Sequence, residues 1–175
     1  MNIFYLHNNP RDCAIMHLDK HCVKMILEYA QLLSTAHRVL DGDDYADAHN
    51  FYKKTHMNHP SAVWVRKSFH NYIWLHNLLT FLCIEYTYRY GKIHKVQQSG
   101  LLSELYKVPE KIGAESFTEP TPAMPDDCKI IDDAINSYRK YYQLYKAHIA
   151  KWTDRDIPDW FDKNALQFSN LGVSS

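Results

Sequence analysis

His17, His21, Lys24, Glu28, Gln31, Thr35 and Arg38 follow one another at alternating steps of four and three residues. On an α-helix that spacing lines them along one side. Asp19 and Lys20 flank the line. A purely solvated helix face usually carries many Glu and Lys. This one carries imidazoles, a single carboxylate, an amide and a hydroxyl, which is closer to the lining of a site. The competing reading is an exposed i,i+4 pair between Lys24 and Glu28, contributing only about 0.2–0.5 kcal/mol. His17-x-x-x-His21 also has the spacing that sets two imidazoles on one helical face, and His56 and His59 form a second pair. No H-E-x-x-H and no Glu-x-x-His motif accompanies them, and eleven histidines generate such spacings by chance. No metal site is therefore assigned.

Two further clusters combine cations with aromatics. The first holds Arg66, Lys67, Arg89, Lys92 and Lys95, with His94, Trp64, Tyr86, Tyr88 and Tyr90 interleaved; the second runs from Tyr138, Arg139, Lys140 and Tyr141 to Lys146 and Trp152. Cations grip phosphates and aromatics stack on bases, although aromatics on helices more often pack into a core. The sequence has no glycine-rich phosphate loop, no G-x-S-x-G and no Cys/His nucleophile pattern.

The elements that must position these groups are helices. Ile15, Leu18, Cys22, Met25, Tyr29, Leu32 and Ala36 form an apolar stripe that predicts one helix over residues 11–40, stopped by Asp41-Gly42. A shorter helix is expected over 43–55. Pro60 after Asn58-His59 opens a helical stretch to Tyr90, with a break near Ser68 and an apolar centre around Leu75, Leu78, Leu79 and Leu82. Gly91 ends it. A short helix is expected near 100–107 and a last one over 130–152. Residues 2–6 read as a strand or extended arm. Residues 109–127, with Pro109, Pro120, Pro122 and Pro125, read as an irregular surface-wrapping segment. Trp160 and Phe161 are expected to dock. The fold class is thus all-α: a single compact domain over 1–165, of about five helices with an extended N-terminal arm, followed by a frayed tail at 166–175.

Composition agrees. The 175 residues are 46% apolar, with thirteen Tyr, seven Phe, four Trp and only five Gly, which favours a helical core over a turn-rich β fold. Net charge is zero, so no global field draws the chain to DNA or to an anionic membrane. The charge is nevertheless segregated: residues 61–112 carry seven Lys/Arg against three Glu, and 113–135 six acids against one Lys. The four cysteines form no C-x-x-C pair and are expected as buried free thiols in a reducing compartment. The first residues lack the basic and apolar regions of a signal peptide, and the apolar run near 72–84 is too short and too polar for a membrane span. A cytoplasmic location without membrane contact is expected.

Two stretches carry a family resemblance. Leu18-Asp19-Lys20-His21-Cys22-Val23-Lys24-Met25-Ile26-Leu27-Glu28-Tyr29-Ala30-Gln31-Leu32-Leu33 is similar to the first helix of the pyrimidine-dimer DNA glycosylases, where an Asp and a Glu nine residues later share one helix. Asn58-His59-Pro60-Ser61-Ala62-Val63-Trp64, running into a helix that closes on Arg89-Tyr90-Gly91, resembles that family's Asn-His-Pro-Ala-Val segment and central helix. Tyr138-Arg139-Lys140-Tyr141-Tyr142 resembles its aromatic C-terminal end. The match covers about residues 1–95, and the chain looks like a bacteriophage branch of the family.

The resemblance implies an all-α DNA glycosylase with abasic-site lyase activity, acting on double-stranded DNA that is bent with a base flipped out. An N-terminal amine attacks the sugar C1′ and forms a Schiff base; a helix Glu, here Glu28, manages the protons. No cofactor and no metal is called for. The family's nucleophile is the α-amine of a small residue exposed by Met removal. Here residue 2 is Asn2, before which Met is usually retained. The amine then belongs to Met1, one residue out of register, or Lys24 replaces it. His21 falls at a matching position near Glu28. At two positions where the phage enzyme carries basic residues beside its Glu, this chain has Leu27 and Gln31.

On this reading the catalytic set is Glu28, Met1, Asn2, Lys24 and His21. DNA contacts are expected from Lys20, Arg38, Arg66, Lys67, Arg89, Lys92, Lys95, Arg139 and Lys140, with His17, Gln31, Asn58, His59 and Trp64 lining the site. Two other function classes compete: a small-molecule hydrolase or transferase acting on a nucleotide in a His-lined site, and a non-enzymatic phage protein that binds a host defence factor.

Overall fold

Helix signals in the chain are local and strong, and the folded elements follow them. The computed structural model describes residues 1–164, and the tail expected to fray lies outside the described residues. Among them are eight α-helices and no strand: α1 Pro10–Met16, α2 Asp19–Asp41, α3 Asp43–Ala48, α4 Pro60–Lys67, α5 Phe69–Tyr90, α6 Lys95–Gln98, α7 Leu101–Glu104 and α8 Ala134–Tyr145. Asn9 caps α1 through its side chain, and Pro10 and Pro60 open α1 and α4 where no backbone N–H is needed. Ser68 ends α4 and caps α5 by accepting from Asn71 N–H. Gly91, at φ 66°, closes α5 in the left-handed conformation that glycine adopts without a Cβ clash.

Helix α5 is the axis of the core: Leu75, Leu78, Leu79 and Leu82 are fully buried, and α1, α2 and α4 all pack on it. Its last turns emerge, leaving Ile84 and Tyr88 exposed. No helix among the described residues is long and apolar enough to cross a membrane. The segment after α7 stays irregular to residue 125, as its prolines require. It is tied down by Asn71, whose buried amide donates to Trp64 C=O and Thr118 Oγ1 and accepts from Thr118 N–H.

The helices depart from the expected five at several places, among them α6, an unexpected single turn at Lys95–Gln98, and α7, which covers only part of the helix expected near 100–107. Residues 11–40 form two helices, because His17 and Leu18 are extended. The gap is filled from elsewhere in the chain: Arg89 donates to Ile15 C=O and His17 C=O, and Trp152 Nε1 donates to Met16 C=O. The helix expected over 43–55 stops at Ala48, since the carbonyls of Phe51 and Tyr52 are held by Arg38. The helix expected over 130–152 is shortened to α8, followed by a 3-10 turn at Ala147–Ile149.

The N-terminal arm is extended but pairs with no strand. Ile3, Phe4, Tyr5 and Leu6 are all buried. Their backbone groups are satisfied by side chains: Tyr29 Oη accepts from Phe4 N–H, Cys13 Sγ–H donates to Phe4 C=O, and Arg139 Nε–H donates to Leu6 C=O. All four cysteines are free and buried, and burial pushes the Cys13 thiol up to about 12, so it remains a donor. Phe161 docks as expected, its ring 5.0 Å from that of Trp152.

Truncating the axis should be far more damaging than truncating the surface. Leu79→Ala is expected to cost about 2–5 kcal/mol in urea unfolding. Ile131→Ala, at a side chain 90% exposed, should change stability by less than about 0.5 kcal/mol.

Candidate active site

The arm brings the first residue onto helix α2. The α-amine of Met1 lies 3.8 Å from Glu28 Oε2, and Lys24 Nζ lies 3.7 Å from Glu28 Oε1. The Met1 and Glu28 side chains are mostly covered, at 8% and 16% exposure, whereas Lys24 is 70% exposed. Of the two candidate amines, the α-amine belongs to the more covered residue, Met1 being half-buried and Lys24 exposed. His59 closes another side. Burial lowers its pKa first, and the charges of the Met1 amine and His56 act in the same direction. His59 Nδ1 accepts from Ser61 N–H at the start of α4, so the neutral ring carries its hydrogen on Nε2. Asn2 and Gln31 are half-buried, and Asn58 is exposed beside His59.

What holds the arm is a run of buried hydrogen bonds whose direction is fixed by chemistry. His17 Nδ1 lies 2.7 Å from Cys13 C=O, which can only accept; Nδ1 therefore bears the hydrogen. His17 Nε2 must then accept from Tyr29 Oη–H at 2.7 Å. Tyr29 Oη in turn accepts from Phe4 N–H. Complete burial holds His17 neutral, its pKa lowered to about 3. His21 is also held neutral, its pKa lowered to about 2, first by burial and then by the nearby charges of Lys146 and Lys24. Its ring stacks on Phe4 at 4.0 Å, and Nδ1 lies 2.8 Å from Tyr142 Oη. Tyr142 Oη also accepts from Leu18 N–H, which leaves the phenol's own proton for His21 Nδ1.

The residues expected to act divide into two groups. Met1, Glu28 and Lys24 come together, while His21 is engaged by Phe4 and Tyr142 and His59 by the start of α4. Four others belong to the framework. His17 is fully buried with both ring nitrogens committed, which removes it from the stripe and from the supposed His17–His21 metal pair. Trp64 is buried against Trp74 and Phe117 and donates to Thr118 C=O. Arg38, its side chain 2% exposed, donates to the carbonyls of Phe51 and Tyr52 and pairs with Asp43 and Asp47. Arg89, its side chain fully buried, pairs with Glu85 and Asp19 while closing the end of α1. Neither guanidinium can reach a phosphate.

The remaining cations stay at the surface. Lys20, Lys67, Lys92, Lys95 and Lys140 are exposed. Arg66 is half-buried and donates to Met57 C=O; Arg139 is half-buried, with its guanidinium 5.3 Å from the Trp160 ring. Sequence reasoning missed the roles of Phe4, Tyr29 and Tyr142. Tyr29 sat in the apolar stripe and read as core; its hydroxyl needing a buried partner was the one available signal.

Searches against protein-family models, curated proteins and solved structures returned no match. The resemblance to the pyrimidine-dimer glycosylases therefore rests on the residues quoted for it.

Tyr29→Phe should leave Phe4 N–H and His17 Nε2 buried without partners, costing about 1–3 kcal/mol for each, read from the urea midpoint. An unchanged midpoint would mean that the arm is held by packing alone.

His17 and His21, the two most strongly depressed of the lowered histidines, also set a pH dependence. An unfolded histidine titrates near 6.5, while the folded rings take up protons only near 3 and 2. Below pH 6.5 the unfolded chain binds more protons than the folded one. Their contribution is thus complete above pH 6.5 and is lost as pH falls, by up to about 1.4 kcal/mol per pH unit for each ring. Urea midpoints at pH 7.5, 6.5 and 5.5 should be level across the first interval and fall across the second.

Proposed function

We propose that this protein is a DNA glycosylase and abasic-site lyase whose nucleophile is the α-amine of Met1. The observation that carries the reading is the α-amine 3.8 Å from Glu28. An amine attacks carbon only as a free base, and a carboxylate at that distance can take its proton and return it later. Lys24, largely in solvent, serves better as a cation for a phosphate.

The chemistry follows in balanced steps. Glu28 takes a proton from the Met1 ammonium and passes it to the base; the freed lone pair forms a bond to C1′ of the deoxyribose as the bond from C1′ to the base breaks, and the base leaves with that electron pair and that proton. The nitrogen gives up its proton to Glu28, and the C1′–O4′ bond opens with O4′ protonated from Glu28, leaving an imine at C1′. Removal of a C2′ proton then expels the 3′ phosphate, and water hydrolyses the imine to release the amine. His21 and His59, both disposed to stay neutral, add no positive charge that would repel a protonated imine.

A second reading has one observation in its favour. A cavity of about 500 Å³ is lined by Tyr52, Lys95, Ser99 and a His49–Glu104 pair in contact at 2.7 Å. That arrangement suits a small polar molecule, and hydrolysis of a free nucleotide with no action on DNA would favour it.

Borohydride reduction of the protein on DNA holding an abasic site tests the reading. A covalent adduct is expected from wild type and from Lys24→Ala, and none once the α-amine is blocked by acetylation. Glu28→Gln should lower single-turnover cleavage by about 10²–10⁴-fold, the usual contribution of a general acid/base, with duplex affinity kept. Cleavage by Glu28→Gln at the wild-type rate would remove the catalytic assignment.

A further inference from the structure

Two aliphatic side chains stand in solvent on the helix that carries Glu28. Val23 and Leu27 are 43% and 41% exposed, one turn apart on α2, and Leu27 immediately precedes Glu28. Single exposed aliphatics are ordinary on any protein surface. Here they are grouped about one feature. At the start of α4, which packs on α2, Met57 and Val63, 36% and 44% exposed, flank His59 in the chain, with Val63 one turn along the helix from it. The rim around both pairs is cationic. Lys20 and Lys24 share the exposed face of α2 with Leu27, and Arg66 and Lys67 lie on α4. The one carboxylate within this group, Glu28, is paired to the Met1 amine and to Lys24.

An apolar centre inside a cationic rim fits a polyanion with an apolar interior, which is the stacked duplex. Apolar side chains inserted between base steps hold such a stack open. We propose that Leu27, backed by Val23, is a wedge that enters the base stack at the reacting nucleotide and fills the gap left when that nucleotide turns out toward Met1. This inference rests on the glycosylase reading above and adds to it the residue that separates stacked from unstacked substrate. Leu27 is suited to the task by position: the rigid helix that carries Glu28 also carries the wedge, so the two move as one body.

The test uses one oligonucleotide with an abasic site, offered as a single strand and as a duplex with 2-aminopurine opposite the site. Wild type should cleave both, form a borohydride-trapped adduct with both, and raise 2-aminopurine fluorescence on binding the duplex. Leu27→Ser, at an exposed position, should melt as wild type does. It should lose most of the fluorescence rise and cleave the duplex at least about tenfold more slowly, since opening a step costs a few kcal/mol. Cleavage of the single strand, which has no stack to open, should stay within about threefold on the same argument. Leu27→Met, which restores an apolar side chain of similar length, should recover the duplex rate. Duplex cleavage by Leu27→Ser at the wild-type rate overturns the wedge. So does an equal loss on both substrates, which would assign the apolar pair to some other partner such as a protein. A wild-type protein that traps neither substrate fails earlier, at the glycosylase reading, and takes the wedge with it.

Discussion

A neutral imidazole buried beneath the N-terminal arm fixes the position of everything at the candidate site. His17 has one hydrogen to give and one lone pair to fill, and the fold uses both: the hydrogen goes to Cys13 C=O and the lone pair receives Tyr29 Oη–H. That leaves the Tyr29 oxygen to accept from Phe4 N–H, so the arm has a single register in which its buried backbone is satisfied. Counting back three residues from Phe4 puts the amine of Met1 against Glu28. A slip of one residue would leave a buried donor without a partner and carry the amine out of reach.

A second constraint lets this arrangement exist. The relay needs His17 off the helix line, which means breaking the helix, and a broken helix exposes carbonyls. Arg89 supplies the donors. Its guanidinium spans two of those carbonyls and is neutralised by Glu85 and Asp19, while Arg155 also pairs with Glu85 and Thr153 bonds Asp19. A buried guanidinium is tolerated only with such complete pairing. The network ties the C-terminal end of α5, the start of α2 and the segment around residues 151–155 into one unit, and it removes one of the most conspicuous cations from any role in binding.

The cations that remain free are those with nothing to close. Lys20, Lys67, Lys92, Lys95 and Lys140 extend into solvent, and lysine on a flexible stem suits contact with a phosphate more than a fixed pair. The aromatics of α8 likewise split by hydroxyl chemistry. Tyr138 and Tyr142 are buried with their phenols bonded, whereas Tyr141 is half-covered and lies under Lys146.

What the sequence determined by itself was whatever depends on neighbours within a turn or two of helix. Apolar periodicity, Pro60 at a helix start, Ser68 as a break and Gly91 as a stop fixed the helical class, the central α5 and the face of α2 that carries Lys24 and Glu28. These are short-range effects, and the residues that cause them are adjacent to the residues that respond. Tertiary structure decided what turns on partners far along the chain. His17 continued the periodic stripe in the sequence, yet it left that stripe because Arg89, 72 residues away, could take up its carbonyl. Arg38 and Arg89 read as cations for a ligand because a sequence records charge but not which carbonyls lie within reach. The meeting of Met1 with Glu28 needed the arm, Tyr29 and His17 in one register. Local spacing cannot encode that contact, because burial makes each unsatisfied polar group costly only once the chain has folded around it.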